Sequence, residues 1–397
     1  MEVLFNTVIF LTSFLFVLSA LVFFHELGHY SVARFFKVAV ERFSIGFGKP
    51  LYRWTSKKTG VQWMICRIPL GGYVKFLGDA GAGSNPDRDK LDMIKAELAA
   101  QDGVSVEDCF HFKPLWQRFL VVLAGPVANF ILAATIFAVI AMWVGTQDVR
   151  SVVTGVLTGS AADAADIRIG DRFVTLSGQN VELGNDFISL VALSSGRELI
   201  AEIERDGEIL TLPVTPRRQL REDFIGGKNN IGTMGVFIGG EENFVSTRYS
   251  PLQAGLYGFG QVYETIALTG LYVKRIFTGK EDGKALGGVA RIATMTGKVA
   301  VDTANLEISW SQRVKTMVLR LLSLAAALSV GLGVANLMPI PVLDGGHLLY
   351  YGYEALSGRP LSEKAQEFGF KMGFTLLLLL MVILTWNDIG YIRSIFS

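Results

Sequence analysis

Four stretches of the chain are apolar on every side, with no period that would leave one face wet. Residues 3–24 hold no charge, and a helix of that length, rising about 1.5 Å per residue, crosses a hydrocarbon layer about 30 Å thick. Residues 119–144 and 321–343 are also uncharged and long enough. Residues 372–386 are shorter, and Lys371 can extend them by reaching toward the headgroups. The pattern predicts four transmembrane helices. The opening residues carry only the acidic Glu2, unlike the basic start of a secretory leader, so the first span is expected to stay in the mature protein.

Between the second and third spans the period changes. Residues 198–205 and 208–214 alternate apolar and polar positions around Asp206-Gly207, a two-residue hairpin turn. Gly159-Ser160-Ala161-Ala162, Ile169-Gly170-Asp171 and Phe173 through Gly178 resemble the core of a PDZ domain, with Ala165-Asp166-Ile167 where that family usually has Ala-Gly-Leu. Downstream, Leu252, Leu256, Phe259, Tyr263 and Ile266 recur at helical spacing within Pro251–Phe277, with Glu264 its single acid. Residues 44–48 and 61–76 read as strands broken by Gly46, Gly48, Gly71 and Gly72. Residues 78–109, including a charged helical stretch at 87–100, carry no recognisable chemistry.

Composition agrees with a membrane protein: of 397 residues, 50% are hydrophobic and 18% charged. The 37 Lys+Arg against 36 Asp+Glu leave no net field to hold nucleic acid. Cys66 and Cys109 are too few for a disulfide framework. Basic residues follow the first span at Arg34, Lys37, Arg42, Lys49, Arg53, Lys57 and Lys58, and none precedes it. That bias places both termini outside the cytosol, residues 37–118 inside and residues 147–316 outside.

The chemistry stands at the inner end of the first span, in His25-Glu26-Leu27-Gly28-His29. Two imidazoles four residues apart share one helix face and reach one Zn²⁺, with a Glu between them as general base. An ionisable residue at membrane depth costs about 2.5 to 3.5 kcal/mol on insertion scales and is usually functional. A third protein ligand is needed if the fourth position is to hold water. Asp344, His347 and His111 are the candidates. Asp344 is favoured as the first charge after the third span, beside Pro339 and Pro341, which must break the helix. For Asp344 to meet the two histidines, Pro251–Phe277 must lie in the interface rather than cross.

Together these residues resemble the site-2 protease family of intramembrane zinc metalloproteases. The resemblance is carried by the His25 to His29 motif, Ala124-Gly125-Pro126-Val127-Ala128-Asn129-Phe130, and Asn336 through Gly346. Gly71 to Phe76 and Phe110 to Arg118 extend it nearly end to end. The order, with a PDZ-like insert between the second and third core spans, is similar to the bacterial RseP and MmpA type. Such members often carry two PDZ domains, and this chain has length for one.

The resemblance implies zinc on His25, His29 and Asp344, a water on the metal as nucleophile, and Glu26 as base and acid. A substrate helix must unwind before cleavage, and Asn129, Asn336, Pro339 and Pro341 are the expected substrate-binding residues. An open edge in the β segment is a further means of holding the unwound chain, unless that segment is only a lid. The expected substrates are single-span membrane proteins first trimmed by a site-1-type protease, in a bacterial inner membrane whose lipid surrounds the site. The rival readings are a catalytically silent PDZ-type scaffold, which needs no Glu26, and a metal transporter, for which no acidic pathway or repeat is present.

The expected fold class is a mainly α membrane protein: four transmembrane helices, a cytosolic-side β segment and an extracytosolic α/β PDZ-like insert. The expected divisions begin with the first span (1–36), the β segment (37–114) and the second span (115–146). The PDZ-like domain (147–217) and a linker with the interfacial helix (218–316) follow. The broken third segment (317–358) and the fourth span (359–397) complete the chain.

Overall fold

The computed structural model describes residues 2–77, 108–222, 228–279, 283 and 286–396. The predicted helical stretch at 87–100 lies outside them. Helix α1 (Glu2–Phe35) leads into strands β1 (Val40–Thr55) and β2 (Gln62–Phe76), then α2 (Leu115–Trp143). Next come β3 (Thr146–Val149), β4 (Val153–Val156), α3 (Ala161–Ala164), β5 (Arg172–Leu176), β6 (Gln179–Asn180) and α4 (Gly184–Ala192). Strands β7 (Leu199–Arg205), β8 (Glu208–Val214), β9 (Arg217–Glu222), β10 (Lys228–Thr233), β11 (Val236–Ile238) and β12 (Phe244–Thr247) follow. The chain closes with α5 (Pro251–Phe277), α6 (Val289–Ala304), α7 (Trp310–Asn336), α8 (Asp344–Ser357) and α9 (Glu363–Phe396).

Among the described residues, four segments are long and apolar enough to cross a membrane: Leu4–Phe35, Leu115–Trp143, Trp310–Asn336 and Lys364–Arg393. The third corrects the expected 321–343. It starts earlier because the Ser309 side chain caps it by accepting the Gln312 N–H, which lets a charged first stretch join the helix. Its helix ends at Asn336, ahead of the expected break, because Pro339 and Pro341 have no N–H to donate and disfavour helix at the residues before them. The chain divides into two compact units, Met1–Ile136 with Ile292–Leu384, and Phe137–Arg291 with Thr385–Ser397.

In the first unit, β1 and β2 are long strands folded over themselves. Phe43 stands opposite both Trp63 and Val74, so residues 42–45 lie between 62–65 and 72–75, while residues 52–55 pair with 62–65 on the far side. The bends fall at Gly46 (φ 85°), Gly48 (φ 86°) and Gly71 (φ 124°), a region of backbone space that other residues enter at a cost. Phe43 fixes this sheet on α1, its ring within 5.8 Å of Phe23, Tyr30 and Trp63. Helices α1 and α2 touch at Gly28, where a Cβ would fall 2.3 Å from the Ala124 carbonyl oxygen.

In the second unit, a four-stranded sheet of order β6-β5-β7-β8 covers a core that includes Phe173, Leu176, Leu199 and Ile203. The β7–β8 hairpin turns at Asp206 (φ 54°) and Gly207 (φ 84°), the left-handed pair its sequence requires. Beside this core, the half-buried Arg205 donates to both carboxylate oxygens of the buried Asp171 at 2.7 Å. The module does not end at 217: β11 pairs with β4, and Met234 joins the core. The polar β9 and β10 hide that returning strand from a reading of periodicity. Helix α5 keeps its expected bounds and buries Ala254, Gly258 and Val262. Its Leu252, Leu256, Phe259 and Tyr263 are 60% to 77% exposed.

Candidate metal centre

Because α1 continues unbroken through the motif, His25 and His29 fall one turn apart on one face, and their Nε2 atoms stand 3.3 Å apart. The third group arrives through the break after α7. Residues 337–343 leave helical geometry, and the chain turns back to start α8 at Asp344. Gly345 and Gly346 permit that turn. A Cβ on Gly345 would lie 2.3 Å from the Leu337 and Met338 carbonyl oxygens, and one on Gly346 equally close to that of Ile340. The result sets Asp344 Oδ2 at 3.2 Å from His25 Nε2 and 3.5 Å from His29 Nε2.

These separations test whether zinc fits. Ligands about 2.0 to 2.2 Å from a tetrahedral zinc lie about 3.3 to 3.5 Å from one another. The three observed donor distances match that spacing, and the set of two imidazole nitrogens and one carboxylate oxygen suits zinc. Among the described residues this trio is the one group of His, Cys, Asp or Glu with such convergence. His347 lines the same cavity outside the trio. His111 occupies the turn Phe110–Phe112, its ring against Phe110.

The cavity beside the trio measures about 570 Å³ and is lined by Glu26, Gly72, Tyr73, Asn336 and Leu343 among others. Glu26 is largely buried, and the backbone N–H of Val74 faces its carboxylate. Strand β2 therefore reaches the motif directly: a Cβ on Gly72 would meet Glu26 Cγ at 3.0 Å. A second, larger groove between α1 and α2, about 760 Å³, has no ionisable side chain in its lining and offers nothing for hydrolysis.

Of the four residues expected to contact substrate, the structure brings Asn336 to the cavity. Asn129 is not in its lining. It is 0% exposed, and its side-chain amide stands 3.1 Å from His25 Nδ1, behind that imidazole rather than in the cavity. Pro339 and Pro341 are outside the lining as well; Pro341 packs beside Gly373 of α9.

Two contributors escaped the sequence reading. The Val121 carbonyl oxygen lies 2.8 Å from His29 Nδ1, and a carbonyl leaves no mark in a sequence. Gly125 faces both imidazoles, where a Cβ would fall 2.2 Å from His29 Nε2 and 2.9 Å from His25 Cε1. The glycine beside Pro126, in the middle of an apolar helix, was the available signal.

Residues 13–380 match peptidase family M50. Metalloprotease MmpA of Caulobacter vibrioides is 40% identical over 387 residues, 96% of each chain. Similar proteins named as candidate zinc metalloproteases include one from Rhizobium meliloti, 38% identical over 381 residues, and one from Agrobacterium fabrum, 40% over 382, each covering 96% of both chains.

Proposed function

The chain belongs to peptidase family M50, the site-2 proteases, and from that membership we propose that it cuts single-span membrane proteins within the bilayer. It is a zinc metallopeptidase with four candidate membrane spans. In this reading His25, His29 and Asp344 hold the metal. The observation that carries it is the mutual spacing of their donor atoms, 3.2 to 3.5 Å, which is that of ligands on one tetrahedral zinc. When bound, zinc polarises the scissile carbonyl and brings the pKa of a water toward about 7.

Glu26 then takes the proton of the attacking water and returns it to the leaving amine. The Val74 N–H aims that carboxylate. A substrate helix must open to be cut, and its freed backbone groups need partners in the absence of water. Asn336 offers one amide at the cavity wall. Residues 72–76 offer a strand edge: they pair with β1 on one side, and Gly72, Tyr73, Val74 and Phe76 line the cavity.

The basic residues after the first span support a cytosolic position for the β segment and an extracytosolic one for the 147–217 region. That region, PDZ-like in its motifs, is read as controlling which chains enter after an upstream protease has trimmed them. The exposed apolar row on α5 supports an interfacial helix lying on lipid. A bacterial inner membrane is the matching location.

The test uses the full chain in proteoliposomes with a single-span reporter protein. Wild type is expected to cut it, to stop when zinc is chelated and to resume when zinc returns. Glu26→Gln should hold equimolar zinc and cut about 10² to 10⁴ times more slowly. A fully active Glu26→Gln, or a wild type that cuts unchanged after zinc is stripped, would overturn the reading.

A further inference from the structure

We propose that Asn129 is a positioning residue that fixes the ring orientation and tautomer of His25, as part of a second layer that α2 supplies to both imidazoles. This rests on the reading of His25, His29 and Asp344 as zinc ligands. Val121, Gly125 and Asn129 follow one another at intervals of four on α2, so they share a face. Each meets the motif. The Val121 carbonyl receives the Nδ1–H of His29 at 2.8 Å. Gly125 leaves the space that the two rings occupy. Asn129 stands 3.1 Å from His25 Nδ1.

A histidine that binds metal through Nε2 carries its proton on Nδ1 and donates it to an outer partner. For His29 that partner is the Val121 carbonyl. For His25 the side-chain amide of Asn129 is the neighbour at Nδ1. Its oxygen, Oδ1, is buried without a hydrogen bond. The two ends of a carboxamide have nearly the same shape, and a half turn exchanges them. With the metal on Nε2, the geometry assigns Oδ1 to accept the Nδ1–H of His25. The backbone at this point is itself held, since Ser329 of α7 donates to the Asn129 carbonyl oxygen at 2.8 Å. The helix that leads toward Asp344 is thereby tied to the residue that orients His25.

Two variants test this in the full-length protein. Asn129→Leu removes the acceptor at similar volume, and Asn129→Asp keeps an acceptor and adds charge. Zinc affinity is read by competition with a chromophoric chelator, and ligand geometry by the visible absorption of the Co²⁺-substituted protein. Asn129→Leu should bind zinc about 10 to 100 times more weakly, with cleavage partly restored by excess zinc. Asn129→Asp should bind at least as tightly as wild type and shift the Co²⁺ bands, because a carboxylate makes the imidazole a stronger donor. Unchanged affinity in Asn129→Leu, or an unchanged Co²⁺ spectrum in Asn129→Asp, overturns the assignment while leaving the ligands as read. A wild type without equimolar zinc removes the ligand reading and this inference together.

Discussion

At the scale of single residues, the site is a matter of what is small as much as of what is charged. Adding one methyl group at Gly125 places a carbon 2.2 Å from His29 Nε2. Gly125→Ala is therefore expected to lose zinc while keeping its helix content, as metal analysis beside circular dichroism would show. His347→Ala should retain zinc and Asp344→Ala should release it; the opposite result would return the third ligand to the histidine that the sequence left open. The motif His25-Glu26-Leu27-Gly28-His29 was legible because an i, i+4 pair depends only on helical geometry. The two asparagines were not, since a lone amide in an apolar helix reads the same whether it faces a cavity or a ligand. Only packing separates Asn336, at the cavity wall, from the fully buried Asn129.

Among the elements, the turn of the β7–β8 hairpin could be read to the residue because its chemistry is local. The pairing of β11 with β4 could not, since it joins positions some eighty residues apart across a polar hairpin. Strands β1 and β2 were legible as strands broken at glycines, but the doubled pairing of residues 42–45 and 62–65 was not. Gly207→Ala forces an alanine into φ near 84° with no neighbour within 4 Å of the new carbon. The expected loss is therefore strain alone, about 1 to 2 kcal/mol, measurable as a lower melting temperature with unchanged zinc content. Helix α5 carries a pH response. Burial, and after it the charge of Asp186, hold the Glu264 carboxyl above its ordinary 4.5, against a small opposing effect of Gln261. The folded chain keeps this proton where the unfolded chain has lost it, so the stabilising contribution is full below about pH 4.5 and fades as pH rises through the raised value. Glu264→Gln, neutral throughout, should melt above wild type at pH 7, and the gap should close near pH 4.

For the whole molecule, the four spans and the meeting of the opening helix with Asp344 were accessible from apolar runs and one motif, because lipid restricts what can cross it. The β segment was expected at the site, as an open edge or a lid; which residues of β2 reach Glu26 is what no run of hydropathy encodes. Val74→Pro removes the N–H that aims Glu26, and is expected to keep zinc but slow cleavage roughly 10²-fold, the cost of misplacing a reacting group by about 1 Å. Spin labels at positions 252, 256, 259 and 263 should report one shared depth at the lipid surface; a graded series of depths would mean that α5 crosses. The edge at residues 72–76 has one further consequence. A strand edge has polarity, so a chain zipped onto it antiparallel threads past Glu26 in a single sense, and the fragment bearing the new amino terminus always departs from the same side. Two reporters of identical composition, one inserted in each topology, should then be told apart by their direction alone, one severed and the other left whole.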